Sequence, residues 1–420
     1  MMGDHSPTRK IVNLLTGLTI AERIALYVMT SMLLVKVIFE FGLGHWFYTI
    51  EPIRQWFFFT FLAFEYSTTF FNQRRNLTYR PFSLAVIGLS IIMCCHGIVV
   101  GLYNENNLFD VFNDTVPVFC IALTVALAEN DVAKRRPDAV RTFVWVMALF
   151  AVANYTVGFA AVKIGRPSIA TIGGGAPQGV VFCVLAAALA AKIDKRLIAI
   201  AGLILAISIP DMNRTTLAFM TLGGLGAAAA MFIRAPVALF VAIVAVVFAG
   251  WVIVSNLPPD SRLVKRIEAT SQYNPAARTG AIGERQAEAD AIKYKLEDLG
   301  PTAQLVGLGH GAVYSFQSTW KYVVDSGHAH FGWALFNLRY GKIGMFYLVI
   351  FSGLLLYSFA MNISARSMEG YLCGCLALLG LLYVPTWFTF NLMIAGLQFI
   401  VARPQPRPET GPRWAQPQFR

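Results

Sequence analysis

Apolar stretches about as long as a bilayer is thick recur along the whole chain, and they restrict its fold more than any motif does. Windows of about twenty mostly apolar residues fall at 23–42, 53–72, 82–103, 108–128, 141–163, 171–192, 196–210, 215–233, 236–257, 343–361, 369–385 and 386–402. Hydrocarbon offers the backbone no hydrogen-bonding partner, so segments of this length span as helices. The expected fold is all-α: a polytopic integral membrane protein of about 12 transmembrane helices. Composition points the same way. Hydrophobic residues make up 56% and charged residues 14% of the 420, with a mean hydropathy of +0.58, whereas soluble domains carry roughly 25% charge.

The net charge of +11 need not mean nucleic acid, because basic residues of membrane proteins concentrate in cytoplasmic loops. Arg9 and Lys10, Arg74, Arg75 and Arg80, Lys134 to Arg136, Lys192 to Arg196, Arg234, Arg366 and Arg403 all fall on one side of the expected spans. That side is assigned to the cytoplasm, with both termini inside; Arg54, Lys163 and Arg166 do not fit the alternation. The divisions are a cytoplasmic segment 1–22, spans 1–9 in 23–257, a periplasmic loop 258–329, a re-entrant segment with spans 10–12 in 330–402, and a Pro-rich tail 403–420 that reads as disordered. No cleavable signal is evident, and the six cysteines all lie in apolar stretches as buried thiols.

The long loop between spans 9 and 10 concentrates the polar chemistry. Its middle, residues 283–300, reads as a helix ended by Gly300-Pro301. Arg285 lies on that helix beside Glu284 and Glu288, which suits a solvated i, i+3 pair as well as an anion site. Arg214, at an outer helix start with Asn213 and Thr215, either snorkels to the interface or clamps an anion. His310 follows the turn Gly307-Leu308-Gly309, and His328 and His330 stand just before the next apolar segment. With Asp325 the one carboxylate nearby, these histidines make a poor metal site, whereas a neutral imidazole suits proton abstraction from a hydroxyl. The Gly-rich break at 173–179 either lines a cavity or kinks a helix.

Several short pieces together carry a family likeness. His330 precedes a leucine-bearing stretch ending in Gly341 and Gly344, the turn 307–309 precedes it, and the Arg285 helix precedes that. Asn213-Arg214-Thr215 looks like an Arg-centred signature, and Gly175-Ala176-Pro177-Gln178, with Arg166 before it, looks like a Gly…Asn-Pro-Asn element. Over roughly 160–360 the chain resembles the O-antigen ligase and O-antigen or exopolysaccharide polymerase superfamily of membrane glycosyltransferases. It departs at Ala176, which stands at the first asparagine of the family's Gly…Asn-Pro-Asn element, and at Phe331, where ligases commonly have asparagine after the histidine.

The resemblance implies a GT-C-like all-α fold in the bacterial inner membrane, with its active site facing the periplasm. The implied donor is an undecaprenyl-diphosphate-linked oligosaccharide, and the acceptor is another glycan, or lipid A core in a ligase. Membrane lipids and polysaccharide assembly proteins are the other implied partners, with no nucleic acid, cofactor or metal. His330 would be the base, and Arg214 and Arg285 would hold the diphosphate. His328, Arg166, Gln178, His310 and Asp325 would support them. Phe331 favours a polymerase over a ligase. A transporter of lipid-linked sugars is the reading from another class; its candidate midplane charges, Glu65, Asp110 and Asp114, have no obvious partner in the sequence.

The topology is directly testable. A cysteine placed at Ala276 should react with a membrane-impermeant maleimide in intact spheroplasts, and one in the tail should not. The reverse pattern would invert the protein.

Overall fold

The computed structural model describes residues 47–72, 79–131, 280–317, 323–327 and 332–364 continuously, with scattered positions within 23–37, 149–160 and 232–256 and at 374 and 377. The windows at 171–192, 196–210 and 386–402 lie outside the described residues. In chain order the elements are helices α1 (Phe47–Asn72), α2 (Pro81–Tyr103), α3 (Leu108–Asp131), α4 (Gly280–Asp298) and α5 (Pro301–Val306). Strands β1 (Tyr314–Gln317) and β2 (Val323–Ser326) follow, then helix α6 (Gly332–Ser364).

Three of these, α2, α3 over Leu108–Glu129 and α6, are long and apolar enough to cross a membrane. Helix α1 covers the window at 53–72 but is not among the three; Glu65 and its Ser, Thr and Gln residues dilute its apolar character.

Helices α2 and α3 form a hairpin fastened at both ends. Pro81 sits in the first turn of α2 after the extended Arg80, where its missing N–H costs nothing. Asn104 ends the helix by donating its side-chain amide to the Val100 carbonyl at 2.9 Å, and Asn107 opens α3 by accepting the Phe109 amide at 2.9 Å. At the far end Arg80 Nε donates to Glu129 Oε1 at 2.8 Å, and the Ser83 hydroxyl donates to Glu129 Oε2 at 2.8 Å. Helix α1 packs on α3, with Trp56 Nε1 donating to Asn113 Oδ1 at 2.9 Å and Phe59 against Phe119.

A second layer is built from α4, α5 and the β-hairpin. The buried face of α4 carries Ala289, Ile292 and Leu296, at helical i, i+3, i+7 spacing. It packs with Tyr314 and Phe316 of β1 and with Ala334, Leu335 and Leu338 of α6. The hairpin is antiparallel, pairing Tyr314 with Ser326 and Gln317 with Val323. The described residues are mostly helical, as expected, and this short strand pair is a local addition not foreseen from the sequence. Its run Tyr-Ser-Phe alternates buried, exposed, buried, a period of two that a helix could not use.

The layers meet at residues 307–311, Gly-Leu-Gly-His-Gly. Gly309 has φ 78°, a left-handed conformation that a side chain would disfavour by roughly 1–2 kcal/mol. A Cβ there would also lie 2.0 Å from the Gly101 amide nitrogen of α2. On the other side, α6 breaks at Gly341 (φ 59°, ψ −149°), separating a mostly buried first part from a largely exposed second part. Beside that break the carbonyls of Leu338 and Arg339 accept the amides of Leu308 and Gly309 at 2.7 and 2.9 Å. The His310 amide donates to the Gly97 carbonyl at 2.8 Å. Asn106 donates its side-chain amide to the carbonyls of both Leu308 and His310, each at 2.8 Å. The turn thus replaces lost water contacts with partners from α2, α6 and the α2–α3 loop.

The close approach predicts a contrast within one helix. A Cβ on Gly97 would lie 2.3 Å from the His310 ring, whereas one on Gly88 would meet nothing within 4 Å. Gly97→Ala should lower stability by about 1–3 kcal/mol. Gly88→Ala should be neutral or stabilising, since alanine is the better helix former by roughly 1 kcal/mol. Thermal unfolding of the two variants in detergent checks this; equal Tm values would remove the argument for a tight seat.

Candidate functional site

The turn delivers His310 into a wholly enclosed position between α2, α3 and α6. Its Nδ1 lies 2.7 Å from Thr115 Oγ1 and its Nε2 lies 2.7 Å from the Tyr340 hydroxyl. The Thr115 hydroxyl donates its hydrogen to the Val111 carbonyl at 2.7 Å, so it can only accept from the ring. That assigns the proton to Nδ1 and leaves Nε2 to accept from Tyr340 O–H. A second histidine repeats the pattern one step along. His96 of α2 donates from Nε2 to the Val306 carbonyl at 2.9 Å, and its Nδ1 accepts from the Tyr347 hydroxyl at 3.0 Å. Tyr340 and Tyr347 are two turns apart on α6, and the rings form a column His310–Tyr340–His96 with edge contacts of 5.5 and 5.4 Å.

Below this column lies an ion pair. Arg339 of α6 is fully buried, and its Nη2 donates to Asp114 Oδ1 of α3 at 2.7 Å and to the Gly327 carbonyl at 3.1 Å. Asp114 Oδ2 accepts the Gly311 amide at 2.7 Å. Burial holds the His310 ring well below its ordinary range, and the Arg339 and His96 charges add to the effect. His310 is therefore neutral with both nitrogens engaged. It secures the turn and is not placed to take a proton from a substrate. Tyr314, on β1, is pushed above its ordinary range by burial and by Glu288, offset in part by its bond with Ser326.

Among the other residues singled out by sequence, Arg285 is half-buried on α4. It forms no ion pair among the described residues, its i+3 neighbour Glu288 included, so a solvated pair does not account for it. Glu288 is itself buried, at 3% exposure. Asp325 is exposed on β2 and accepts at 2.5 Å from the hydroxyl of Ser315, its register partner on β1. His330, His328, Arg214, Arg166 and Gln178 lie outside the described residues. Two separate sequence pieces are brought together: the turn at 307–309 rests on the Gly341 break, where a Cβ on Gly307 would lie 2.5 Å from the Gly341 nitrogen.

Two of the three charges without an obvious partner in the sequence, Glu65 and Asp114, stand in ion pairs. Asp114 pairs with Arg339, and Glu65 accepts from Arg23 Nη2 at 3.0 Å; Asp110 is exposed. Sequence reasoning missed Arg339, Tyr340, Tyr347 and Thr115. One signal was present: an arginine and an aspartate within two apolar helices are expensive unless they meet. Among the described residues no three His, Cys, Asp or Glu side chains converge to hold a metal ion.

The His310 assignment fixes a pH dependence. Its folded pKa lies below the unfolded value, so the folded protein is fully stabilised above about pH 6.5 and loses stability as pH falls below it, because the unfolded chain takes up the proton first. Protease resistance of the 307–317 region should fall between pH 7 and 5, and His310→Gln should flatten the trend. Tyr340→Phe, which strands the Nε2 acceptor, should cost about 1–3 kcal/mol at neutral pH. A pH-independent wild type would contradict the neutral, buried state of His310. Compared with models of protein families and with curated proteins, the chain finds no match.

Proposed function

We propose that this chain is a metal-independent inverting glycosyltransferase of the bacterial inner membrane. It takes a polyprenyl-diphosphate-linked oligosaccharide and extends a surface polysaccharide or exopolysaccharide at the periplasmic face. The observation that carries the proposal is Arg285: a half-buried guanidinium with no ion pair among the described residues, on the layer that packs over the start of α6. Gly332 begins α6, two residues after His330 in the chain. A cation held out of bulk water, on the same layer that leads into a histidine, suits a reaction that leaves negative charge on a diphosphate.

In the proposed step the acceptor hydroxyl attacks the anomeric carbon as its proton passes to His330. The glycosidic bond to the diphosphate breaks in the same displacement, which inverts the anomeric centre. Arg285, with Arg214, takes up the charge left on the diphosphate, where a partly desolvated guanidinium is worth far more than in water. Lipid A core in place of a growing glycan as acceptor would make the same chemistry a ligase. A transporter of lipid-linked sugars is less well supported, since Glu65 and Asp114 each stand in an ion pair.

Turnover of a defined lipid-linked repeat by the protein in nanodiscs tests this. His330→Ala should lose roughly 10²–10⁴-fold in kcat, with His328→Ala milder. Arg285→Ala and Arg214→Ala should lose nearly all turnover, and Arg285→Lys much of it, because lysine lacks the planar fork that grips two phosphate oxygens. EDTA should leave the rate intact. Wild-type rates in His330→Ala would end the proposal, and abolition by EDTA would assign the charge to a cation instead.

A further inference from the structure

Between Asp298 and Lys321 the sequence holds no Asp, Glu, Lys or Arg, although the segments on either side are charged. Helix α5 and the glycine turn both fall in that gap. Their place beside α2 gives a reason for it. The Val306 carbonyl, at the end of α5, accepts from His96 Nε2 at 2.9 Å, and the His310 amide reaches the Gly97 carbonyl at 2.8 Å. The backbone of Gly309 passes directly against that of Gly101.

Helix length decides what depth this is. The ion pair of Arg80 and Glu129 marks the polar far end of α2. At 1.5 Å per residue His96 stands about 24 Å from that end, whereas a hydrocarbon core is about 30 Å thick. A bilayer ending at His96 would therefore be about 6 Å too thin. The rest of α2 continues the apolar span, with Val99 65% exposed and Leu102 exposed beyond it. The hydrocarbon edge thus falls near Gly101, and the end of α5 lies below it. Backbone at that depth must be fully paired, because hydrocarbon supplies neither donor nor acceptor. Every amide from Gly307 to Gly311 is paired, in turn with Ala303, Leu338, Arg339, Gly97 and Asp114. Pro301, in the first turn of α5, removes an amide that would otherwise need a partner there.

We infer that α5 and the glycine turn form a re-entrant element, seated in the bilayer leaflet beside the α2–α3 loop, with Leu305 against lipid acyl chains. Leu305 adjoins Val306 and is 52% exposed, although it is a large apolar side chain. His96, which holds Val306, borders the exposed face of α2 that carries Ile92, Cys95 and Val99. The exposed side of α5 is therefore continuous with a face turned to lipid. The partner that fits it is the boundary between head groups and chains.

The test uses the wild-type protein in nanodiscs of phosphatidylethanolamine and phosphatidylglycerol, part of which carries a diazirine near the head-group end of the acyl chain. Tandem mass spectrometry locates the adducts formed on illumination, and hydroxyl-radical footprinting of the same discs reports contact with water. Val99 is the lipid reference, and Lys293, exposed on α4, is the water reference. Leu305 should take adducts at the level of Val99 and be spared by hydroxyl radicals, with Lys293 showing the reverse. Oxidation of Leu305 to the level of Lys293, without adducts, would put α5 in water and overturn the inference. Neither mark on Leu305 would mean that protein covers it, which overturns the inference as well. Adducts on neither Leu305 nor Val99 would show that α2 does not border lipid, and the depth argument would fall with it. Two variants give a readout independent of labelling. Leu305→Glu should lower Tm in nanodiscs while Leu305→Phe stays near wild type, because only the carboxylate is penalised in hydrocarbon. A glutamate variant as stable as the phenylalanine one would place Leu305 at a wet surface and end the proposal.

Discussion

The backbone of residues 307–311 runs through a space too narrow for side chains, with Gly101 on one side and the Gly341 break on the other. The join between the layer of α4, α5 and the β-hairpin and the apolar helices depends on how that strip of peptide is accommodated. Its amides and carbonyls are taken up by Gly97, Asn106, Asp114, Leu338 and Arg339, which belong to α2, the α2–α3 loop, α3 and α6. One short segment thereby contacts all three of the helices that, among the described residues, are long and apolar enough to cross a membrane. In surroundings of low dielectric each of these bonds matters more than it would at a wet surface, because an unmade one has no water to fall back on. Hydrophobic packing adds to the join through Leu308, Leu335 and Leu338, but it is the polar pairing that sets the register.

Local features of the described fold could be read from the chain. Pro81 marks the start of α2, Gly300-Pro301 marks the end of α4, and the apolar spacing of Ala289, Ile292 and Leu296 gives the buried face. What could not be read are contacts between distant residues. His310 suggested chemistry because a neutral imidazole suits proton transfer; its enclosure depends on Gly97, a residue whose role is invisible until the two helices are side by side. The strands at 314–317 and 323–326 were hidden in a loop, each being only 4 residues long. Arg285 was legible as a candidate, but periodicity favoured a pair with Glu288 that the folded protein does not make.

Two arginines on neighbouring elements are treated in opposite ways. Arg339 is enclosed, bonded to a carboxylate and to a carbonyl, and cannot approach a ligand without leaving both. Arg285 is half-exposed on α4, with no carboxylate taking up its charge among the described residues. The first arrangement builds rigidity, and the second keeps a positive field available at the surface of the outer layer. The transferase proposed above would need both: a fixed frame for the reacting groups and a cation not already neutralised.

The Asp114–Arg339 pair also has a history along the chain. Its members are 225 residues apart, and Thr115 and His310 are 195 apart. During synthesis α3 is therefore complete long before either partner exists. A carboxylate left alone in a membrane helix costs about 2.5–3.5 kcal/mol at the centre, and less towards an end. Asp114 lies in the second turn of α3, nearer an end of that helix than its middle. Until α6 follows, α3 carries Asp114 without the guanidinium that pairs with it in the folded protein. A ribosome that stalls before residue 339 would leave behind a membrane segment still carrying an uncompensated acid.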